Sequence, residues 1–373
     1  MHSNQAGRCF TLCLAVLLLG APMFAKTRVA KQPFGQTPDG AAVELYQLSD
    51  GKIEARIITY GGIIVSLRTP DRNGRLGDIV LGCDTLEQYI AQTAHFGGII
   101  GRYANRIAHG TFHLDDHTYS IPKNDGDNAL HGGPRGFDKV VWQAKEIPDG
   151  IELTYVSKDG DQGFPGTLNT TVRYTVNGGA LRIEYSATTD KDTVLNLTNH
   201  SYFNLKGQGK GDILGHVVKI DASLVTPLNA DLIPTGEVKP VEGTPFDFRT
   251  AHAVGERINA DDPQLRLGKG YDINFVLPHP GELAEAAEVY EPSTGRILRV
   301  RTTEPGLQFY SGNHLEGPIP GKAGRVYNFR SGLCLEAEHF PDSPNHPNFP
   351  STELKPGQVF HSVTVYEFSA GTR

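Results

Sequence analysis

The chain contains little cysteine for its length. It has 373 residues and four cysteines, and two of these, Cys9 and Cys13, lie in an N-terminal apolar run. The remaining two, Cys83 and Cys334, are too few for the disulfide framework that stabilises small exported domains. They would be able to pair if the fold made them neighbours, but we expect isolated buried thiols. Neither stands at a spacing from histidine that marks a cysteine nucleophile.

Positive charge is also scarce. The 35 Lys and Arg residues are outnumbered by 42 Asp and Glu residues, which gives a net charge of −7 and a pI near 6.1. This balance excludes the basic surface that nucleic acids and anionic membranes require. Hydrophobic residues make up 38% of the chain and the mean hydropathy is −0.31. These values indicate a soluble protein with a sizeable core.

No apolar run is long enough to span a bilayer. The longest one, from Cys9 to Leu19, follows the basic Arg8 and precedes a small residue, Ala25, where cleavage is possible. This order is typical of a secretory signal peptide and is too short for a membrane span. We therefore expect residues 1–25 to be removed and the mature protein to be exported, to a periplasm or outside the cell, without a membrane anchor.

Methionine and helical periodicity are rare, whereas turn formers are abundant. The chain has two Met but 43 Gly and 24 Pro, a composition that favours short strands joined by turns. Asn73-Gly74 is a strong hairpin signal. Two helices are expected, one capped by Thr85 and ending near Ala91, the other within residues 250–258. Alternating or apolar runs predict strands in the segments 53–60, 63–67, 112–121, 140–147, 151–157, 170–176, 181–188, 217–220, 273–277, 287–290, 297–302 and 307–310.

The organisation of these segments indicates one large domain. The chain has no repeat of fixed period, no charge block and no linker that would divide it. Many strands separated by turns, with almost no helix, are typical of an antiparallel β-sandwich. The prediction is an all-β protein, a large antiparallel β-sandwich with few short helices, in which residues 26–373 form a single domain.

One stretch combines an apolar and a polar face. Its alternation, read as a strand, places Leu195, Leu197, Phe203 and Leu205 on one face and Asn196, Thr198, His200, Tyr202 and Asn204 on the other. A strand of this kind would pack one face on the core and line a polar pocket with the other. A solvent-facing strand is the alternative for a lone histidine.

Nucleotide and metal motifs are missing. Residues 207–211 are rich in glycine but fit neither the dinucleotide fingerprint nor the P-loop. The fourteen histidines include no H-x-x-x-H pair with a glutamate on a helix and no cysteine pair at zinc spacing. We expect no cofactor and no metal.

Four further segments carry polar side chains beside constrained backbone. Asn105 and Arg106 join an amide to a planar guanidinium, and His131 precedes two glycines that would let the backbone approach a ligand. Gln308 and Glu336 each lie on the polar face of a short alternating run. Asn, Arg, two His, Gln, Asp and Glu together are a usual set for hydrogen-bonding the hydroxyls of a sugar.

The same segments contain a series of specific strings. They occur in order from about residue 40 to nearly the C-terminus and read GRYANRIA, LHGG, GFDKVVW, DGDQGFPG, NHSYFNLKG, LIPTGEV, GTPFDFR, GYDINF, PGLQFYSG and CLEAEHFPDSPN. In these strings the chain resembles the aldose 1-epimerases, the galactose mutarotases. The resemblance implies a large β-sandwich, in agreement with the strand pattern.

The resemblance also implies roles for individual residues. Glu336 would be the catalytic base and His200 the catalytic acid. Asn105, Arg106, His131, Asp272 and Gln308 would hold the hydroxyls and ring oxygen of the sugar. Glu338 and His339 match the family less securely and stand outside this predicted site. Ile273 replaces a His or Asn of many relatives, and we expect this to affect hydrogen bonding near C-3 and C-4 and therefore sugar preference.

The implied activity is the interconversion of α and β anomers of free aldohexoses such as galactose and glucose. Opening the hemiacetal needs a base for the C-1 hydroxyl and an acid for the ring oxygen. A histidine with a pKa near 6.5 needs only a small upward shift to be that acid, and Asp272 would supply it. We expect a monomer or weak dimer whose partner is a monosaccharide.

Two alternatives remain open at this point. A glycoside hydrolase or lyase on a related sandwich would need two positioned carboxylates, for which Glu336 and Asp272 are candidates. A non-catalytic sugar-binding protein would need no acid–base pair, whereas this chain keeps both His200 and Glu336.

Overall fold

A computed structural model describes residues 1–2 and 27–372 of the chain. Apart from its first two residues, the predicted signal peptide lies outside the described residues, so export stays a prediction. In the described part of the chain, no helix has the length and apolar character needed to cross a membrane. The predicted extent of the domain, residues 26–373, also stays a prediction.

Strands dominate the described residues. The first part of the chain contributes β1 (Arg28–Gln36), β2 (Ala42–Ser49), β3 (Glu54–Ile58), β4 (Ile64–Pro70), β5 (Leu76–Asp78), β6 (Ile99–Ile100), β7 (Arg106–Ile107), β8 (Thr111–Leu114), β9 (His117–Ser120), β10 (Ala129–Leu130), β11 (Gln143–Ile147), β12 (Gly150–Ser157), β13 (Leu168–Asn177), β14 (Ala180–Thr189), β15 (Thr193–Val194) and β16 (Thr198–Asn199). The second part contributes β17 (Val217–Ile220), β18 (Leu224–Thr226), β19 (Lys239–Pro240), β20 (His252–Ala253), β21 (Asp272–Val276), β22 (Ala284–Tyr290), β23 (Arg296–Thr302), β24 (Gly306–Tyr310), β25 (Ile319–Pro320), β26 (Val326–Tyr327), β27 (Cys334–Glu338), β28 (Glu353–Leu354) and β29 (Phe360–Ala370). The α-helices are α1 (Leu86–Ala91), α2 (Val254–Arg257) and α3 (Pro263–Gly268).

A nine-stranded antiparallel sheet forms one layer. Its order is β11-β12-β13-β14-β29-β23-β22-β17-β20. Strand β13 shows how the sequence makes this layer, because every second residue from Leu168 to Val176 is buried while the residues that alternate with them are more exposed. The C-terminal strand β29 lies between β14 and β23. It was not among the predicted strands, although it joins the two halves of the sheet.

Two five-stranded sheets, β1-β2-β3-β4-β5 and β19-β18-β21-β24-β27, oppose the large sheet across one continuous hydrophobic cluster. The second of these has a divided surface. Ile273, Phe275, Leu307 and Phe309 pack into the cluster, whereas the side chains that alternate with them are polar. The named strands pair antiparallel throughout, and the predicted class, an all-β antiparallel sandwich with few short helices, is confirmed.

The helices confirm one prediction and correct another. Thr85 caps α1 in a reciprocal capping box with Gln88, as the sequence indicated. Within the predicted segment 250–258 only the single turn of α2 forms. Helix α3 was missed; it begins with Pro263 behind the capping residue Asp262, whose carboxylate accepts from two backbone N–H groups.

The prediction of one continuous strand over residues 194–205 is wrong. Only β15 and β16 form there, and each is two residues long. Both sets of side chains are buried, because the polar ones bind backbone groups of neighbouring segments. The amide of Asn196 donates to the carbonyls of Ala104 and His339, and that of Asn204 donates to those of Gly211 and Ser331. The alternation therefore reflects an irregular segment held by its asparagines.

Candidate active site

A cleft of about 810 Å³ opens over the polar face of the sheet that contains β21, β24 and β27. Its lining combines polar and apolar surface and includes every residue that the sequence assigned to the site. These residues are Asn105, Arg106, His131, His200, Asp272, Gln308 and Glu336. The structure thus places side chains from six separate stretches of the sequence around one cavity, while their individual roles stay predictions.

Three of these side chains form what we call the sheet wall: Asp272, Gln308 and Glu336. Gln308 of β24 stands directly opposite Glu336 of β27, and Asp272 lies on the neighbouring strand β21. Side chains at alternate positions share a face, so the ladder aligns all three towards the cleft. The amide Nε2 of Gln308 donates to Oδ1 of Asp272 over 2.7 Å.

Irregular backbone provides the opposite side, the loop wall, which comprises Asn105, Arg106 and His131. Both Asn105 and His131 have positive φ, at 63° and 53°. The backbone N–H of Asn105 donates to Nδ1 of His131 over 3.1 Å, and the backbone N–H of His131 donates to the carbonyl of Asn105 over 3.0 Å. This reciprocal pair holds a conformation that few side chains adopt unaided.

Two side chains of the loop wall are held by carboxylates. The guanidinium Nε of Arg106 donates to Oδ2 of Asp125 over 2.7 Å, which fixes the direction of the fork. The amide of Asn105 donates to Oε1 of Glu338 over 3.0 Å. Asn105 thereby links the loop wall to β27, two residues beyond Glu336.

His200 and Glu336 meet at the centre of the cleft. Nε2 of His200 is 3.5 Å from Oε2 of Glu336, and both side chains are almost fully buried. That carboxylate oxygen accepts no hydrogen bond within the described part of the chain. A buried acceptor without a donor is costly unless a ligand supplies one. This oxygen is therefore available to a ligand that donates a hydrogen bond.

The protonation of this pair differs from the expectation. Burial, with a contribution from His95, lowers the pKa of His200 to about 3, where a small upward shift was expected. Asp138, not Asp272, is the carboxylate whose charge opposes this shift. Burial, together with Glu338 and Asp272, raises the pKa of Glu336 well above its usual value, and Arg106 opposes that rise. Both shifts favour a proton on Glu336 over one on His200.

His95 is a cleft residue that the sequence analysis missed. Its Nδ1 is 2.7 Å from Oδ2 of Asp138, and its ring contacts that of His131 edge-on with centroids 4.8 Å apart. It also has positive φ, at 57°. The sequence string GFDKVVW contains Asp138, the partner of His95, but it does not indicate which histidine this carboxylate binds.

Glu338 was also left outside the predicted site. It is fully buried, and burial raises its pKa to about 8, although the hydrogen bond from Asn105 opposes this rise. The signal was present in the alternation of β27, because Glu336 and Glu338 are two residues apart and share a face.

Two other expectations need correction. Ile273 lies on the core side of β21, is 2% exposed and stands opposite Phe309. It therefore does not reach the cleft, since adjacent strand residues face opposite ways. Gly132, the glycine after His131, lets the backbone pack closely against another segment of the chain. A Cβ at this position would stand 2.1 Å from the carbonyl oxygen of Gly101. The close contact that requires this glycine is therefore with backbone and not with a ligand.

One trio of side chains has the spacing of a metal site. Donor atoms of His131, His200 and Glu336 lie within 4.8 Å of one another. Burial lowers the pKa of His131 well below its usual value, so its ring is neutral and has one N–H. Because Nδ1 accepts from Asn105, the proton is on Nε2, which then has no lone pair for a metal. The geometry favours hydrogen bonding of a hydroxyl over coordination of an ion.

Both cysteines of the described chain, Cys83 and Cys334, are buried free thiols, as expected. Fold and site together define a β-sandwich protein whose cleft contains a buried contact between a histidine and a glutamate.

Residues 44–367 match the family model of aldose 1-epimerase. A galactose mutarotase of Sus scrofa is 44% identical over 342 residues, which cover 91% of this chain and 98% of that protein. An aldose 1-epimerase of Escherichia coli K12 is 41% identical over 339 residues, or 89% and 97% of the two chains. The crystal structure of galactose 1-epimerase from Lactobacillus acidophilus NCFM superposes with a TM-score of 0.80 at 27% identity, covering 93% of this chain and 99% of that one. The chain belongs to the aldose 1-epimerase family, and the resemblance drawn from the sequence is confirmed.

Proposed function

We propose that the protein interconverts the α and β anomers of free aldohexoses, with galactose and glucose as substrates. The contact between His200 and Glu336 at 3.5 Å, buried in the polar cleft, is the observation that supports this most directly. Membership of the aldose 1-epimerase family supports the reaction class. The sugar is inferred from the names of the relatives and from the polar groups that line the cleft.

Ring opening uses the two groups in opposite directions. Glu336 takes the proton of the C-1 hydroxyl while Nε2 of His200 gives a proton to the ring oxygen, which breaks the bond between C-1 and that oxygen. The aldehyde turns about the C-1–C-2 bond, and both protons return as the ring closes on its other face. Each turnover therefore restores the enzyme without a covalent intermediate.

The two protonation states of the pair belong to one cycle. Carboxylate with imidazolium and carboxylic acid with neutral imidazole contain the same number of protons. Ring opening converts the first state into the second, and ring closure reverses it. Burial lowers the pKa of His200 and raises that of Glu336, which favours the second state, while the charge of Arg106 opposes the rise at Glu336 and so supports the carboxylate needed for opening.

The two rival functions have weaker support. A retaining or inverting glycoside hydrolase would use a pair of carboxylates. Here Asp272 accepts a hydrogen bond from Gln308, and the contact of Glu336 is with a histidine. A protein that only binds sugar has no need for a buried acid–base pair whose pKa values are shifted in opposite directions.

Polarimetry with freshly dissolved α-D-galactose and α-D-glucose tests the proposal. The wild type should accelerate the decay to the equilibrium rotation, and Glu336→Gln should reduce kcat by about 10²–10⁴-fold because it removes the base with little change in volume. Sugar binding should persist in the variant, as isothermal titration calorimetry would show. A wild type that matches the buffer blank for both sugars contradicts the proposal, and near wild-type kcat in Glu336→Gln contradicts the assignment of the base.

We also propose that the protein is exported, on the strength of Arg8 and the apolar run from Cys9 to Leu19. N-terminal sequencing of the protein from an extracytoplasmic fraction should then begin at Lys26. An intact Met1 on protein recovered from the cytoplasm would contradict export.

A further inference from the structure

The imidazole of His200 lies between a carboxylate and a thiol. Nε2 faces Oε2 of Glu336, and Nδ1 is 3.5 Å from Sγ of Cys334. Cys334 begins β27, two residues before Glu336, and is fully buried. One strand therefore supplies the partner on each edge of the ring.

Aromatic rings surround the imidazole of His200. The ring of Tyr202 stacks on it with centroids 5.0 Å apart and an interplanar angle of 23°, and the ring of His131 contacts it edge-on at 5.2 Å. The imidazole turns about its Cβ–Cγ bond, and this rotation sets the direction of Nε2. The thiol of Cys334 is a side-chain hydrogen-bond partner of Nδ1 and so restrains that rotation.

The partner at Nδ1 differs between His131 and His200. His131 accepts from a backbone N–H, which can only donate and so maintains one tautomer. A thiol is both a weak donor and a weak acceptor. Burial raises the pKa of Cys334 well above its usual value, so its sulfur remains a neutral thiol. It can donate to a bare Nδ1 or accept from a protonated one.

We propose that Cys334 is a positioning residue for His200, whose sulfur holds Nδ1 in both protonation states and keeps Nε2 directed at Glu336 and the reacting sugar. The kinetic part of this inference rests on the proposed function, whereas the hydrogen bond does not. His200 must change its protonation in every turnover, and Cys334 is the group that follows this change without moving the ring.

Kinetics of Cys334→Ala and Cys334→Ser test the role. Cys334→Ala should lower kcat about tenfold with KM within about twofold, because a ring free to rotate presents Nε2 less often in the reactive direction. Cys334→Ser should restore most of kcat, since a hydroxyl also donates and accepts. Cys83→Ala is the matched control, because Cys83 is likewise a buried free thiol and has no imidazole partner in the described chain. If Cys334→Ala and Cys334→Ser have the same kcat, whether near the wild-type value or reduced, the proposal is overturned.

Nitrogen-15 NMR of histidine-labelled protein supplies a readout independent of turnover. The His200 signals, assigned by their loss in His200→Asn, should shift at Nδ1 in Cys334→Ala and stay near the wild-type position in Cys334→Ser. If Cys334→Ala does not fold, an unchanged His200 spectrum and full kcat in folded Cys334→Ser remain the required result. If the wild type has no epimerase activity but the Nδ1 signal still moves in Cys334→Ala, the proposed function alone is refuted. If the Nδ1 signal does not move in folded Cys334→Ala, the positioning role is refuted.

Discussion

The two walls of the cleft hold their side chains by different means. Asp272, Gln308 and Glu336 stand on three adjacent strands, where the ladder fixes spacing and facing direction. On the other side, Asn105 and His131 adopt positive φ and are held by hydrogen bonds to each other. A ladder distributes its restraint over many residues, while a strained loop depends on a few contacts. Glu336, the proposed base, is on the regular wall, and His200, the proposed acid, is on irregular backbone.

His200 connects the two walls. Its backbone N–H donates to the carbonyl of Gly98 and its carbonyl accepts from the N–H of Gly97, which ties it to the irregular side. Its ring contacts Cys334 and Glu336 on β27. The proposed base and the proposed acid are therefore held by differently built parts of the molecule. Substitutions on each wall should therefore have different kinetic signatures.

The largest effect beyond that of Glu336 is expected at His200. His200→Asn removes the acid but keeps a polar side chain of moderate size, so kcat should fall by about 10²–10⁴-fold while sugar binding remains measurable. Polarimetry gives kcat, and calorimetry with galactose gives the affinity. His216→Asn is a suitable control for stability, because His216 is a buried neutral histidine whose Nε2 accepts from the backbone N–H of Leu205. Comparable losses of kcat in both folded variants would count against a specific role for His200.

A smaller effect, mainly on binding, is expected on the loop wall. Arg106→Ala removes a guanidinium that Asp125 holds against the cleft, and KM should rise about tenfold with a smaller change in kcat. Arg173→Ala is the matched control, since Arg173 also pairs with a carboxylate at 2.7 Å but lies on β13, in the large sheet. Steady-state polarimetry over a range of galactose concentrations separates the two constants. A loss confined to kcat would contradict a binding role for Arg106.

These walls differ in how far the sequence could predict them. Alternation within β24 and β27 indicated the faces of Gln308 and Glu336, because side-chain direction in a strand is a local property. Local patterns do not specify which distant segments meet. His95 binds Asp138 from 43 positions away, and Cys334 contacts His200 from 134 positions away. The predicted direction of the pKa shift of His200 was wrong for the same reason, because the burial that lowers this pKa depends on the whole fold.

The prediction of the fold from sequence was limited in the same way, by contacts between distant parts of the chain. Every segment predicted as a strand overlaps a strand of the structure, although many of the other strands were not predicted, and the class followed from the number of segments. The central strand β29 and the division of residues 194–205 into short pieces were missed, because the partners of both segments come from distant parts of the chain. Residues whose neighbours are local were predicted well, and those whose neighbours are remote were identified through the family resemblance.

A moderate effect on stability is expected from Glu338, which joins the walls through Asn105. Its folded pKa, about 8, lies above the usual value, so ionisation costs stability as pH rises from about 4.5 towards 8. Glu338→Gln keeps an acceptor for Asn105 and removes that cost. The variant should melt at a higher temperature than the wild type, with a difference that is small near pH 4.5 and grows up to about pH 8. Thermal unfolding followed by circular dichroism measures this.

An exposed carboxylate provides the control for that series. Glu282→Gln, at an exposed position, should leave the melting temperature nearly unchanged at every pH. A difference between Glu338→Gln and wild type that does not vary with pH would show that the carboxyl does not titrate in this range.

The smallest effect is expected at Ile273, on the far side of the sheet wall. Ile273→Val removes one buried methyl group and should destabilise the fold by about 1 kcal/mol, as chemical denaturation would show. The ratio of galactose to glucose rates should stay the same, because Ile273 faces the core while its neighbour Asp272 faces the cleft. Gln308→Ala, which alters the cleft side of the adjacent strand, should change that ratio and so serves as the positive control. An altered ratio in Ile273→Val would mean that packing behind the sheet wall influences sugar preference, and the sheet would then be a less rigid support for the base than its ladder indicates.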